Sequence, residues 1–501
     1  MERMPSVSFV SRRMLIAAAI SVSLLVALVF NVDVAAAQSA SKHQLPRLHK
    51  QRLIVLTDIG AEVDDTESMV RLVLYSDVID IEGLIATTST WKRTSVSPDL
   101  IHNVIDAYGK VHGNLLHHDP EYPTAAALRA LVKRGRPEYG MSGVGKGKDS
   151  EGSLWIIRAL EENDERPLWI SVWGGVNTLA QALYTLLETR PADEVNRLIS
   201  KLRVYTISDQ DDSGPWIRKS FPELFYVVTP GGDYGAATWT GINSFVSGID
   251  NTTISNKWLA EHIQQGRGPL GAAYPDVAYG MEGDTPSWLS LIPNGLSDPQ
   301  HPDWGGWGGR YELYRSDVDV SDPHTFIGGV PIEPETRPIW TNAFDEFTPF
   351  VSGEYGRASH AGEKPIRDYK ATIWRWRDDF QNDFAARMNW TTKPYKASNH
   401  PPVAILDMPE KFSVRSGEEL NLKAHATDPD GDSLTFLWFQ YFEAGSLKEK
   451  IKFAVAENMN NLSVLAPKVD HPQTVHFILR VADKGTPPIA RYKRVIVTIT
   501  P

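Results

Sequence analysis

The chain has 501 residues, 42% hydrophobic and 23% charged, an ordinary globular composition long enough for more than one core. Its formal net charge of -11 argues against a nucleic-acid backbone as the main partner, because such a partner calls for a basic face. There is no cysteine, which excludes disulfides and thiolate metal sites and leaves oxygen or imidazole for any metal.

In chain order, the N-terminus reads as an export signal: Arg12 and Arg13, the apolar run Met14 to Phe30, then small residues at Ala35 and Ala37, with cleavage expected after Ala37. The stretch SRRMLI (Ser11 to Ile16) resembles a twin-arginine signal, and an ordinary secretory signal reads equally well. Both place the mature protein outside the cytoplasm, secreted or periplasmic, with no membrane anchor after cleavage. Residues 38–51 form a polar spacer.

From residue 52 strand-like runs alternate with helix-like ones. LIVLTDI precedes DTESMVRLVLYS, IDIEGLIATTS precedes SPDLIHNVIDAYGKV, and PLWISVWGG precedes VNTLAQALYTLLETR; KLRVYTIS is a further strand. Repeated strand and helix predict an α/β fold with a mostly parallel sheet flanked by helices, whose ligands sit at the carboxyl ends of the strands. TDIGAEVDD (Thr57 to Asp65) lies at such an end, directly after LIVL, and carries Asp58, Glu62, Asp64 and Asp65. Carboxylates gathered there suit a hard divalent cation; a solvated turn whose acids cap the next helix is the plainer alternative.

Later segments offer further candidates, each with a plain counterpart. SDQDDSG places Asp209 and Gln210 after a strand, facing a sugar or forming a capped turn. DSEGS supplies a helix cap at Asp149 or Ser150, and Asp233 in TPGGDYG is a candidate pocket residue. Residues 241–362 are aromatic and rich in Gly and Pro, with weak helix and strand signals. Their Trp288, Trp304 and Trp307 suit either a sugar-stacking platform or core filling, and His301 either a proton donor or a surface residue.

DYKATIWRWRDDFQNDFAARMNW (Asp368 to Trp390) predicts a helix with Ile373, Trp376, Phe380 and Phe384 on one face, closing a first domain of residues 52–392. Residues 393–401 read as a linker, and 402–501, with short alternating strands, as an all-β immunoglobulin-like sandwich without the disulfide. In it, Asp428, Asp430 and Asp432 offer oxygens for calcium, yet the spacing also suits a turn, and Phe439 stands where an EF-hand needs Glu.

Several of these segments resemble the nucleoside hydrolase superfamily. LTDIGAEVDD is similar to its first motif, EGLIATTS to its second strand, YGMSGVG to a glycine-rich stretch, and VWGGVNTLAQAL to a later segment. SDQDDSGPW, WGGVNTLAQAL and MEGDTPSWLSLIPNGL together resemble a secreted subfamily, linked by name to cellulose binding, that joins such a domain to a C-terminal sandwich.

The resemblance implies one Ca2+ held by Asp58, Asp65, a late carboxylate at Asp284 and a backbone carbonyl at Asn177. Asp58 would also take the proton from the attacking water, and Asp64 would bind a sugar hydroxyl. Glu62, Trp91, Asp209, Gln210, Asp233 and Trp288 complete the expected substrate contacts, and related folds are often homo-oligomers. The departures are Leu56 in place of the motif's first Asp, Glu62 for Asp, Gly283 where a His is common, and Trp91 and Lys92 after the Thr pair. Glu282 is then the candidate proton donor, the alternative being a leaving group that needs little help. Because these changes remove features suited to a nucleoside, the expected substrate is a carbohydrate or other glycoside, and the alternative is a polysaccharide-binding protein that has lost turnover.

Overall fold

The computed structural model describes residues 50–501 except 231–237, 279, 315–334, 336, 349–350, 353–357, 360–364 and 453–457. The expected export signal, nearly all of the spacer and Asp233 lie outside the described residues. Among those described, no helix is long and apolar enough to cross a membrane.

Strand β1 (Gln51–Thr57) is buried from Arg52 onward, and its unbroken apolar run fits a strand covered on both faces. It pairs in parallel with β2 (Ile79–Ala86) on one side and β4 (Leu168–Val172) on the other. With β3 (Val132–Arg134), β5 (Leu202–Ser208), β6 (Phe225–Thr229), β7 (Tyr311–Tyr314) and β8 (Ile339–Asn342), the order is β3-β2-β1-β4-β5-β6-β8-β7. Only β7 runs antiparallel to its neighbour. The chain thus works outward from β1 to β3, then returns to the far side of β1 at β4. That reversal opens a crevice at the carboxyl ends of β1 and β4, where such sheets bind ligands.

The helices follow their sequence signals. They are α1 (Asp64–Val73), with acids in its first turn, α2 (Pro98–Leu115), α3 (Glu151–Glu161) and α4 (Asn177–Thr189). Ser150 caps α3 through a reciprocal pair of bonds with Ser153. The helix expected over 368–390 is split into Ala371–Trp374 and α5 (Arg377–Trp390). Helix α5 is buried nearly all round, with Arg377, Asp379, Asp383 and Arg387 included and Asp378 exposed, so no single apolar face marks it.

Two ribbons follow the main sheet: β9 (Asp345–Phe347) with β12 (Ile366–Asp368), and β10 (Val351–Ser352) with β11 (Ala358–Ser359). The C-terminal region has one sheet of β13 (Val403–Leu406), β15 (Glu419–Thr427) and β17 (Asn461–Leu465). Its other sheet has the order β14 (Lys411–Arg415), β19 (Ala490–Thr500), β18 (Gln473–Asp483), β16 (Leu434–Gln440). Leu420 and Leu422 of the first sheet share a core with Trp438, Phe477 and Val497 of the second.

Residues 50–501 form one compact unit. Trp376, Phe380 and Phe384 share a core with Phe439, Tyr441, Ile478 and Tyr492 of the sandwich. Charge pairs cross the same boundary. Arg480 Nε donates to Asp379 at 2.8 Å, and Asp383 accepts from Arg491 and from Tyr75, each at 2.7 Å. Asp345 likewise accepts from Arg310, Arg375 and Tyr441.

Removing one partner of a buried charge pair costs about 3–5 kcal/mol. Asp383→Ala should therefore lower stability by that amount in urea unfolding, with one transition followed by both near-UV and far-UV signals. His476, buried beside Arg494, is pushed down to about 3 by burial and then by the charges of Arg494, His301 and Lys411. Below its ordinary value of 6.5 the unfolded chain takes up a proton that the native state refuses, so stability falls as pH drops. Between pH 6 and pH 4, His476→Gln should remove ~1.4 kcal/mol per pH unit from the slope of unfolding free energy.

Candidate functional site

The crevice at β1 and β4 holds the acidic stretch. As the chain leaves β1 it turns at Gly60, whose φ of +88° suits glycine, and Ala61 N–H closes the turn on Asp58 C=O at 3.0 Å. Helix α1 begins at Asp64, which sets Asp64 and Asp65 in its first turn beside the unpaired backbone N–H groups. Thr57 Oγ1 donates to Asp65, and Ser89, just past β2, donates to Asp58. Gly174, after β4, makes room for Asp58: a Cβ there would stand 2.7 Å from the carboxylate.

Asp284 arrives from a distant turn. Oxygens of Asp64, Asp65 and Asp284 all lie within 4.8 Å of one another, and all three residues are buried. This group can hold a metal ion. Asp284 Oδ2 is buried with no hydrogen-bond donor, as expected of an atom that faces a cation. Asp58 lines the same cavity but stands outside this group.

Gathering the acids suppresses their ionisation. Burial comes first for each. It lifts Asp58 to about 6, against the Ser89 bond and with the Asp64 charge, and Glu62 to about 7, with the charges of Asp64 and Asp58 adding. Asp64 is raised by burial. Asp65 and Asp284 are raised well above the carboxylate range, by burial and then by the neighbouring carboxylates.

The cavity encloses about 160 Å³ and is walled by Trp91, Trp173, Trp239, Ala61, Glu62 and Gln210. Trp91 is 51% exposed, at the rim. Gln210 donates to the Trp173 carbonyl at 2.6 Å, and its Oε1 is buried without a donor. Trp239 Nε1 donates to Asp64 at 2.7 Å, and its ring fills the space beside Gly283: a Cβ there would lie 2.1 Å from the indole. Lys92 bonds to Ile59 C=O and Ser97; burial lowers its pKa, while the charges of Asp58 and Asp65 raise it.

The crevice thus brings together Asp58, Glu62, Asp64, Asp65, Trp91, Gln210 and Asp284. Other expected residues lie elsewhere. Glu282 is fully buried in an ion pair with Arg71, and it also accepts from Tyr274 and Thr285, so its carboxylate is committed away from the cavity. Asn177, first residue of α4, does not line the cavity, whose wall after β4 is Trp173; its side chain bonds to Thr87, Thr88 and Glu138, which leaves the expectation for its backbone carbonyl untouched. Asp209 forms a two-pronged pair with Arg218. Trp288 and Trp307 are fully buried in the core, not a sugar platform. His301 stacks on Trp304 at 3.8 Å beside His476 of the sandwich and does not line the cavity.

Trp173 and Trp239 were not among the expected contacts. Trp173 was within reach of the strand-end rule, since it directly follows β4. Trp239 carries no such signal, because only the tertiary fold returns its segment to Asp64.

Two family models match the chain. Residues 52–311 match the one described as "Cellulose-binding Sde182, nucleoside hydrolase-like domain", and residues 419–499 the one described as "Cellulose-binding protein Sde0182, C-terminal domain". A solved structure of a nucleoside hydrolase-related hypothetical protein from Saccharophagus degradans, described as associated with carbohydrate metabolism, is 32% identical, with a TM-score of 0.74. The match covers 90% of this chain and 100% of that one. The effector protein XOO4466 and the type III effector XopQ, the latter solved with adenosine diphosphate ribose, are 11% and 12% identical. Each match covers 72% of this chain and 99% of the other, with TM-scores of 0.31 and 0.30. No curated protein matches. The first family model spans more than half of the chain, and the Saccharophagus protein aligns along its whole length: the chain belongs to the family of cellulose-binding Sde182 proteins with a nucleoside hydrolase-like domain.

Proposed function

We propose that the protein is a secreted or periplasmic, calcium-dependent hydrolase that cleaves a glycosidic bond in a carbohydrate-derived glycoside. The observation that carries this reading is the convergence of Asp64, Asp65 and Asp284, with Asp58 beside them, at the switch point of the sheet. The family description and the carbohydrate association of the Saccharophagus protein support the substrate class.

The donor set is all oxygen, which fits calcium, and the unpartnered Asp284 Oδ2 fits a cation-facing atom. When bound, the cation supplies positive charge that steadies sugar oxygens and eases deprotonation of water. Asp58, oriented by Ser89, accepts the proton of the attacking water at its carboxylate. Asp64 and Glu62 accept hydrogen bonds from sugar hydroxyls, Trp91, exposed at the rim, offers its ring to the pyranose, and Trp173 and Trp239 wall the cavity. The surrounding carboxylates favour the positive charge that develops at the anomeric carbon. Direct attack by water forms the new C–O bond as the glycosidic bond breaks, inverts that carbon and releases the aglycone, whose leaving atom takes its proton from solvent.

Three observations favour a second reading, a polysaccharide-binding protein on the same scaffold. Among the described residues no histidine lines the cavity, Glu282 is locked to Arg71, and Trp239 fills the space beside Gly283. Help for the leaving group is therefore lacking on that side.

Calcium titration followed by calorimetry should show Asp65→Asn and Asp284→Asn weakening the cavity's calcium affinity by more than ~10-fold, the cost of losing even an outer-shell partner. A glycoside screen read by NMR should give the inverted anomer first. Asp58→Asn should then lower kcat by ~10²–10⁴-fold while calcium remains bound. Absence of turnover on every glycoside, with the protein retained on insoluble polysaccharide, would establish the binding role instead.

A further inference from the structure

The linker meets the sandwich at a second cluster of oxygens, separate from the cavity. The register of β16 on β18 sets Leu434 opposite Asp483, which brings the turn 428–432 beside the end of β18. Asn399, from the linker, reaches into the turn 483–489, and the next residue, His400, donates its N–H to Asp430 of the turn 428–432. Asn399 Nδ2 donates to Asp483 Oδ1 at 2.9 Å and to Pro487 C=O at 2.8 Å. Gly485 permits this approach: a Cβ there would stand 2.2 Å from the Asn399 amide.

Each side chain has one end satisfied and one oxygen left over. Asp483 Oδ1 also accepts from Gly485 N–H at 2.9 Å and Ile489 N–H at 3.0 Å, while Oδ2 is buried with no donor. Asp428 Oδ1 accepts from Asp430 N–H and Asp432 N–H, both at 2.9 Å, and its Oδ2 is likewise buried without one. Asn399 Oδ1 is the third such atom. Asp483 is 3% exposed and Asn399 5%, so water has little access to either residue. A buried acceptor without a donor is destabilising, more so when charged. Three in one seam call for a shared positive partner.

We propose that this seam is a second cation site of the calcium class, with Asp428 and Asp483 as carboxylate ligands and Asn399 as the amide-oxygen ligand. Asp430 is not in the set, because its carboxylate accepts from His400 N–H at 2.7 Å and lies 3.0 Å from His400 Nδ1. The site therefore differs from the run of alternate aspartates visible in the sequence. Amide and carboxylate oxygens on turns suit calcium, whereas magnesium demands near-ideal octahedral geometry. The bound ion would tie the linker to both turns.

The test is calcium stoichiometry on the full-length mature chain, by calorimetry and elemental analysis, with Asp428→Asn and Asp284→Asn variants. With both sites working, the wild type binds two equivalents and each variant one. If the cavity binds no calcium, the wild type and Asp284→Asn bind one and Asp428→Asn none, which separates this proposal from the hydrolase reading. In chelator, Asp428→Asn should melt above the wild type, because it takes the charge from a buried oxygen that has no donor. Asp284→Asn needs no intact seam variant: calcium should raise its Tm by a few degrees at a hundredfold excess over Kd, and magnesium at that concentration should not. Asp284→Asn that binds no calcium, or Asp428→Asn that binds as many equivalents as the wild type, overturns the proposal.

Discussion

Crowding of like charge out of water is the constraint from which the rest of the structure follows. The fold gathers Asp58, Asp64, Asp65 and Asp284 at the foot of β1, where burial makes every negative charge costly. Partial compensation comes from Thr57, Ser89 and Trp239 as donors and from the N-terminus of α1. The layer beneath adds no net charge. Arg71 pairs with Glu282, whose φ of +50° is unusual for a side-chain-bearing residue, and Glu67 accepts the Glu282 N–H. Burial lifts Glu67 to about 9, so it is neutral near pH 7. Pinning Glu282 on both sides fixes the turn that delivers Asp284, and the group sequence reasoning took for a proton donor is part of this support.

Sequence was most informative where chain neighbours do the work. The apolar run of β1, the acids of the first α1 turn and the cap at Ser150 are local, and they lead directly to a parallel sheet with a carboxylate crevice. It misled at several places where a distant partner decides the outcome. Asp209 belongs to Arg218, Glu282 to Arg71, and Trp288 to Tyr75 and the core. No spacing rule names a partner more than two hundred residues away, as Arg71 is from Glu282. Aromatic residues were the weakest guide, since Trp91, Trp239 and Trp288 have the same chemistry and differ only in what the fold lays over them.

Helix α5 shows why the two halves of the chain are hard to treat apart. One side of it fills the core behind the site through Phe380 and Phe384, and it offers Asp379 and Asp383 to sandwich residues Arg480, Tyr492 and Arg491. Asp383 also holds Tyr75 at the end of α1, the helix whose first turn builds the carboxylate group. The sandwich thus braces the element on which the site depends.

The fit of Trp239 against Gly283 limits how this pocket can evolve. Any larger residue at 283 must evict the indole, and with it the donor to Asp64. Replacing Trp239 first would leave a hole and reduce the donors to Asp64 to the backbone N–H of Asp65. A lineage moving between a side chain at 283 and this arrangement must therefore change both positions almost together. The pair is a lock between two pocket chemistries, and single substitutions at either position are expected to be dead ends.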